Sequence, residues 1–192
     1  MHLYLITHAA TQISKTTAVA AWALSPAGKE QAQKLAARAF WNDVDCIVLS
    51  SEPKTQLTVE PLLAMRPIPT VVDARLDELY RPGWVDDYAV RVRQAFAAPT
   101  VPAGEWESAA AALTRVQEAI AALVASYRDQ TLALVGHGLT LSLYRADLLG
   151  QSHVNYDDWS QLSFAAVALV DPLAKVLIHD FEAVAGAMPR GR

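Results

Sequence analysis

The sequence predicts an α/β fold built around a mostly parallel sheet. Three runs, Leu3-Tyr4-Leu5-Ile6, Cys46-Ile47-Val48-Leu49 and Leu132-Ala133-Leu134-Val135, are apolar throughout instead of alternating, as strands buried on both faces are. Longer stretches of helical period separate them, and strands interleaved with helices are the pattern of layered α/β chains.

The first apolar run predicts a strand that ends just before His8. Ser25-Pro26 then combines an N-capping hydroxyl with proline at the first helical position, and Ala32, Leu35, Ala36, Ala39 and Phe40 supply one apolar face. The Cys46 to Leu49 strand leads into a helix from about Pro53. That helix stops before Arg66-Pro67, because the residue preceding a proline is pushed out of the helical region. Thr70-Val71-Val72 is a shorter strand. Trp106, Ala109, Leu113, Val116, Ile120 and Leu123 recur at spacings of three and four, marking a long amphipathic helix that ends near Tyr127. After the Leu132 to Val135 strand, a helix is expected from just past Gly138 to Gly150. Phe164 to Val170 and Val176 to Phe181 flank Asp171-Pro172, a turn signal that predicts a hairpin or paired edge strands. No internal repeat is visible, and a flexible tail is expected over about 186–192.

With 192 residues, 53% hydrophobic and 19% charged, the chain has the size of one domain, 1–192, with its own core. Sixteen basic against 20 acidic residues leave a net charge of −4 and no long basic run, which argues against nucleic-acid or membrane-surface binding. Met1 to Ile6 lacks the basic region of a signal peptide, and charges interrupt the Ala-rich stretches before the ~20 apolar residues that a bilayer crossing takes. The single Cys46 lies in an apolar run and excludes an intrachain disulfide, so a cytoplasmic protein is expected. Any anionic ligand must be met locally.

Two histidines stand out because each follows an apolar strand, His8 after Ile6 and His137 after Val135. In an open parallel sheet the carboxyl ends of the strands share one edge, and ligands bind in the crevice there. Either histidine alone reads as a hydrogen-bonded loop residue; the matched placement predicts a joint site. His2, His153 and His179 have no such placement. At the end of the Cys46 strand, Ser50-Ser51-Glu52-Pro53-Lys54 adds hydroxyls, a helix N-terminus and a cation to the same edge. Alone, the serines read as caps and Lys54 as a surface charge; beside two histidines the set suits a phosphoryl group.

These residues resemble the histidine phosphatase superfamily, the phosphoglycerate mutase-like fold. The family's opening strand and Arg-His-Gly correspond to Leu3-Tyr4-Leu5-Ile6-Thr7-His8-Ala9-Ala10-Thr11. Its Leu-Thr/Ser-x-x-Gly-x-x-Gln-Ala pattern is matched by Leu24-Ser25-Pro26-Ala27-Gly28-Lys29-Glu30-Gln31-Ala32, and its Ser-Ser, basic residue and Thr by Ser50, Ser51, Lys54 and Thr58. Leu76-Asp77-Glu78 matches Leu-x-Glu, and Gly136-His137-Gly138 the late His-Gly pair. The resemblance implies a three-layer α/β/α sandwich and a phosphomonoesterase free of cofactor and metal. His8 is then the nucleophile and His137 a stabiliser of the phosphoryl oxygens. Glu78 is the general acid, although Glu105 and Glu107 are also open for that role. Thr7, Thr11, Ser51, Lys54 and Gly138 are the implied substrate-binding residues, and a small phosphorylated molecule or phosphate the implied ligand. The oligomeric state is open, and a homodimer is compatible with the sequence.

The departures are specific. Thr7 stands for the family's arginine before the nucleophile, Ala9 for the following glycine and Lys54 for a second arginine. Lysine is a point charge and threonine a neutral hydroxyl, whereas arginine grips phosphate through a planar fork. Losing one such transition-state donor costs about 3–4 kcal/mol of barrier. Trp22-Ala23-Leu24-Ser25 and Gly104-Glu105-Trp106-Glu107 suggest a subgroup that shares the Thr-His opening. Arg75 and Arg81 are candidates to supply guanidinium from a loop. Tyr80, Trp84, Tyr88 and Phe96 lie in a segment expected to cover the site edge, as packing residues or substrate contacts. Two other readings stand beside the enzyme: a binding or regulatory protein with decayed catalysis, and, ranked last, a zinc site on His8, His137 and a carboxylate.

Overall fold

The computed structural model describes residues 1–184; the tail expected to be flexible, about 186–192, lies outside the described residues. Six strands form one sheet, running from edge to edge as Thr70–Val72, Cys46–Leu49, Leu132–Gly136, Leu3–Thr7, Val167–Asp171 and Val176–Glu182. β1 (Leu3–Thr7), β2 (Cys46–Leu49), β3 (Thr70–Val72) and β4 (Leu132–Gly136) are parallel, while β5 (Val167–Asp171) and β6 (Val176–Glu182) form the expected antiparallel hairpin. Strand β5 begins at Val167, three residues after the expected Phe164.

Alternation explains the uninterrupted apolar runs, since successive side chains point to opposite faces and both faces are covered. Tyr4, Ile6, Ile47, Leu49, Ala133 and Val135 pack in the cluster that contains residues of α1 (Pro26–Ala36) and α2 (Pro53–Met65). Leu3, Leu5, Cys46, Val48, Leu132 and Leu134 pack with α4 (Ala109–Ser126) and α5 (Gly138–Leu148). The result is the expected α/β/α layering. By length and composition α4 is apolar enough to cross a membrane, but Ala112, Val116, Ala119, Ile120 and Leu123 are buried in the protein core.

A third cluster joins Leu139, Leu143 and Ala146 of α5 to Val92, Ala95 and Phe96 of α3 (Tyr88–Ala97) and Trp159 of α6 (Tyr156–Gln161). Helix α5 therefore has core on two sides, which accounts for its apolar character all round. Neither α3 nor α6 is among the helices expected from the sequence, although Tyr88, Val92, Ala95 and Phe96 recur at the helical spacings that mark α3. Helix α6 rises from a polar stretch because Asn155 caps it, its side chain accepting from the backbone N–H groups of Asp157 (2.7 Å) and Asp158 (3.3 Å).

Helix ends follow their caps. Ser25 accepts from Gly28 N–H at 3.0 Å and opens α1 as expected, but Ala39 and Phe40 fall in a separate short helix, Ala39–Asp43. Ser108 accepts from Ala111 N–H, so α4 starts at Ala109; Trp106 precedes the helix and packs in the third cluster. Gly28 is required by contact: a Cβ there would lie 1.9 Å from the Ala10 carbonyl oxygen. That approach docks α1 directly on the segment following His8.

Candidate active site

Because β1 and β4 are neighbours in register, Thr7 opposite Gly136, their carboxyl ends place His8 and His137 side by side. The ring centroids are 5.2 Å apart at 60°. A third strand, β2, pairs with the other side of β4 and delivers Ser50 and the following corner to the same edge. The two rings line a cavity of about 320 Å³ with Thr11, Lys54, Glu78 and Arg81.

His8 is 6% exposed. Its Nδ1 lies 2.8 Å from the Ala9 carbonyl oxygen, and since a carbonyl only accepts, Nδ1 carries the hydrogen. In the neutral ring Nε2 then holds the lone pair. Ala9 N–H donates to Thr58 Oγ1 at 2.9 Å, so the match at Thr58 fastens the residue after His8 to α2. The Ala9 methyl is buried in the α1/α2 cluster, away from the cavity. Phe164 packs on His8 with centroids 5.5 Å apart.

His137 is fully buried, with Nε2 2.8 Å from Ser50 Oγ and 3.8 Å from Glu52 Oε1. Glu52 ties the site together. Its Oε2 accepts from Lys54 Nζ at 2.5 Å and its Oε1 from Glu78 N–H at 2.8 Å, while Lys54 also donates to the Val19 carbonyl at 2.9 Å. Lys54 is thus buried, at the cavity, and already matched by a carboxylate.

Glu78 is the carboxylate that lines the cavity with both histidines; Glu105 and Glu107 do not. Its Oε1 accepts from Leu79 N–H (2.9 Å) and Thr140 N–H (3.2 Å), and its Oε2 from Leu139 N–H (3.2 Å). The N-terminus of α5, a natural anion seat, is therefore filled by the protein's own carboxylate. Glu107 instead belongs to a clamp. It pairs with Arg115 at 2.8 Å, and Arg115 donates to the carbonyls of Arg75 (2.8 Å), Asp77 (2.7 Å) and Glu78 (3.0 Å), holding the segment that carries Glu78.

Burial pushes the Glu107 carboxyl up, but the Arg115 guanidinium and Tyr80 N–H outweigh it and hold it below the ordinary carboxylate range. A depressed native value stabilises the fold above the unfolded-state value, about pH 4.5, and that stability is lost as pH falls through the native one. Glu107→Gln should therefore lower the thermal midpoint at pH 7, with the gap to wild type closing toward pH 3. A gap independent of pH in thermal melts would refute this.

Three sequence-expected contacts are not brought to the cavity. Thr7 is buried and turned aside: its Oγ1 donates to the Ser163 carbonyl (2.9 Å) and accepts from Ala166 N–H (3.0 Å). Ser51 is drawn outward by Asp77, whose carboxylate accepts from its N–H at 2.7 Å and its hydroxyl at 2.6 Å. Gly138 opens α5 but does not line the cavity. Thr11 and Lys54 do line it.

Of the loop arginines, Arg75 is taken by Asp73, with contacts of 2.6–3.2 Å. Arg81 lines the cavity, stacked on Tyr88 at 4.7 Å and Trp106 at 5.7 Å, and donates to Tyr88 Oη at 3.3 Å. Trp84 and Tyr88 line the cavity as well, whereas Phe96 is core and Tyr80 is exposed. Among the described residues, no three His, Cys, Asp or Glu side chains cluster to hold a metal ion, which leaves the zinc reading without geometric support.

In the Ser50–Lys54 run the sequence reads Ser50 as a cap beside Ser51 and gives Glu52 no role. A glutamate two residues before a lysine, at a strand-to-helix corner beside a histidine-bearing strand, is the signal for the pairing.

Residues 3–174 match the sequence profile of the histidine phosphatase superfamily (branch 1). No curated protein matches significantly. Among solved structures, YhfR of Bacillus stearothermophilus superposes with a TM-score of 0.74 at 20% identity, covering 100% of this chain and 99% of its own. A mycobacterial glucosyl-3-phosphoglycerate phosphatase complexed with VO3 gives 0.73 at 23% identity, covering 88% and 92%. A phosphoserine phosphatase variant from Entamoeba histolytica, in complex with phosphoserine, gives 0.75 at 15% identity, covering 96% and 98%.

Proposed function

The chain belongs to the histidine phosphatase superfamily, and from that premise we propose that it is a phosphomonoesterase working through phospho-His8. The observation that carries the reading is the Nδ1 hydrogen bond to the Ala9 carbonyl, which presents Nε2 as the nucleophile. The His8 Nε2 lone pair forms a bond to phosphorus as the ester P–O bond breaks. The leaving alkoxide takes a proton, for which Glu78 is the carboxyl at the cavity. Water then attacks phospho-His8, giving up a proton to the same carboxylate and releasing phosphate.

Charge on the transferring group is met by Arg81, Lys54 and His137. Arg81 takes over the guanidinium function expected at position 7, and Thr11 is a hydroxyl within the same cavity. Small phosphorylated ligands also appear in the names of similar structures, which include phosphatases for glucosyl-3-phosphoglycerate and phosphoserine. The buried Cys46, the only cysteine, fits a cytoplasmic setting.

The test is an acid-free quench of the protein with p-nitrophenyl phosphate, followed by peptide mass spectrometry. The expected result is one phosphoryl adduct, on His8. Absence of any adduct during turnover would sink the mechanism. Absence of both adduct and turnover would favour a binding protein, a reading that Thr7, turned away from the cavity, independently motivates.

A further inference from the structure

Resting on the cavity being a phosphomonoester site, we infer that it selects esters whose alcohol is aromatic and uncharged. Five aromatic side chains line it: Trp22, Trp84, Tyr88, Trp159 and Phe164. Trp22 and Trp84 form a wedge, with centroids 6.1 Å apart at 43°.

Three of the four polar edges of that wall are already spent, the exception being Trp159 Nε1, a buried donor with no partner among the described residues. Trp22 Nε1 donates to the carbonyls of Ser14 (3.1 Å) and Thr17 (3.2 Å), and Trp84 Nε1 to Asp86 Oδ1 (2.9 Å). Tyr88 Oη takes the Arg81 contact. What the two indoles offer a ligand is ring carbon, which suits a flat apolar group better than a hydroxylated or ionic one.

Charge gives the second half. The cations lining the cavity are Lys54 and Arg81. Lys54 is matched by Glu52 at 2.5 Å, and Arg81 has no carboxylate partner among the described residues. Lys15 lies against Trp84 but is paired with Asp86 at 2.8 Å. One phosphoryl group uses the unmatched guanidinium. A second anionic group on the substrate would meet Glu78 and indole faces instead, and burying it unpaired is unfavourable. The inferred substrate therefore differs from phosphoserine and from phosphoglycerate esters, each of which carries a carboxylate.

Calorimetric titration of the His8→Asn protein with 2-phenylethyl phosphate, 3-phosphoglycerate and phosphoserine tests this without turnover. The aromatic ester should bind about tenfold or more tightly than either acid, with Trp84→Ala narrowing that gap. Equal or tighter binding of either acid overturns the inference, as does a Trp84→Ala protein weakened alike for all three. Wild-type turnover of the same esters is read separately. If none turns over while the binding order holds, the phosphatase reading fails and the selectivity stands; turnover with the order reversed sinks the selectivity alone.

Discussion

Replacing His8 with asparagine should lower kcat/KM by at least about a thousandfold while leaving the thermal midpoint nearly unchanged. The asparagine amide keeps a donor for the Ala9 carbonyl, so the backbone at the end of β1 retains its bond. What disappears is the ring nitrogen proposed as the nucleophile. Arg81, Lys54, His137 and Glu78 all remain, and any residual rate measures what charge and orientation achieve without a covalent intermediate. Turnover of the asparagine variant at the wild-type rate would remove His8 from the chemistry.

Glu52→Gln should be the most destabilising conservative change at the site. The carboxylate is 8% exposed and its partner Lys54 4% exposed, with 2.5 Å between them. Removing one member of such a pair leaves a buried charge unmatched, at a cost of about 3–5 kcal/mol. In a chain of this size that lowers the thermal midpoint by about 10 °C or more. Adding Lys54→Met removes the second charge and should recover much of the loss. Activity should not recover, because Glu78 N–H and His137 also depend on Glu52 for placement. Thermal melts and kinetics on the single and double variants read both effects; a single variant as stable as wild type would refute the pairing.

Strand ends were the legible part of the site. An apolar run buried on both faces has few alternatives, and three such runs fix where the carboxyl edge lies, so His8 and His137 are matched by the sequence alone. The direction of each side chain beyond a strand was not legible. Ser51 carries the motif, yet Asp77 draws it outward, a contact spanning 26 residues that no local pattern reports. Arg75 and Arg81 looked equivalent until Asp73 claimed the first. Helix α6 is not legible because it is short, largely polar and buries only Trp159, whereas α3 carries a helical stripe, Val92, Ala95 and Phe96, that packs in a cluster assembled from distant segments.

The bonds at Thr7 bear on how this chain relates to the arginine-bearing members of its family. Its hydroxyl closes a two-way latch on the 163–166 turn, giving a hydrogen to Ser163 and taking one from Ala166, while Ala165 N–H reaches the His8 carbonyl at 3.2 Å. An arginine at position 7 would open that latch and would have to leave a fully buried position to reach the cavity. Arginine at position 7 and the present 163–166 turn are thus structurally incompatible, and a cavity guanidinium at that position calls for a change in the turn as well.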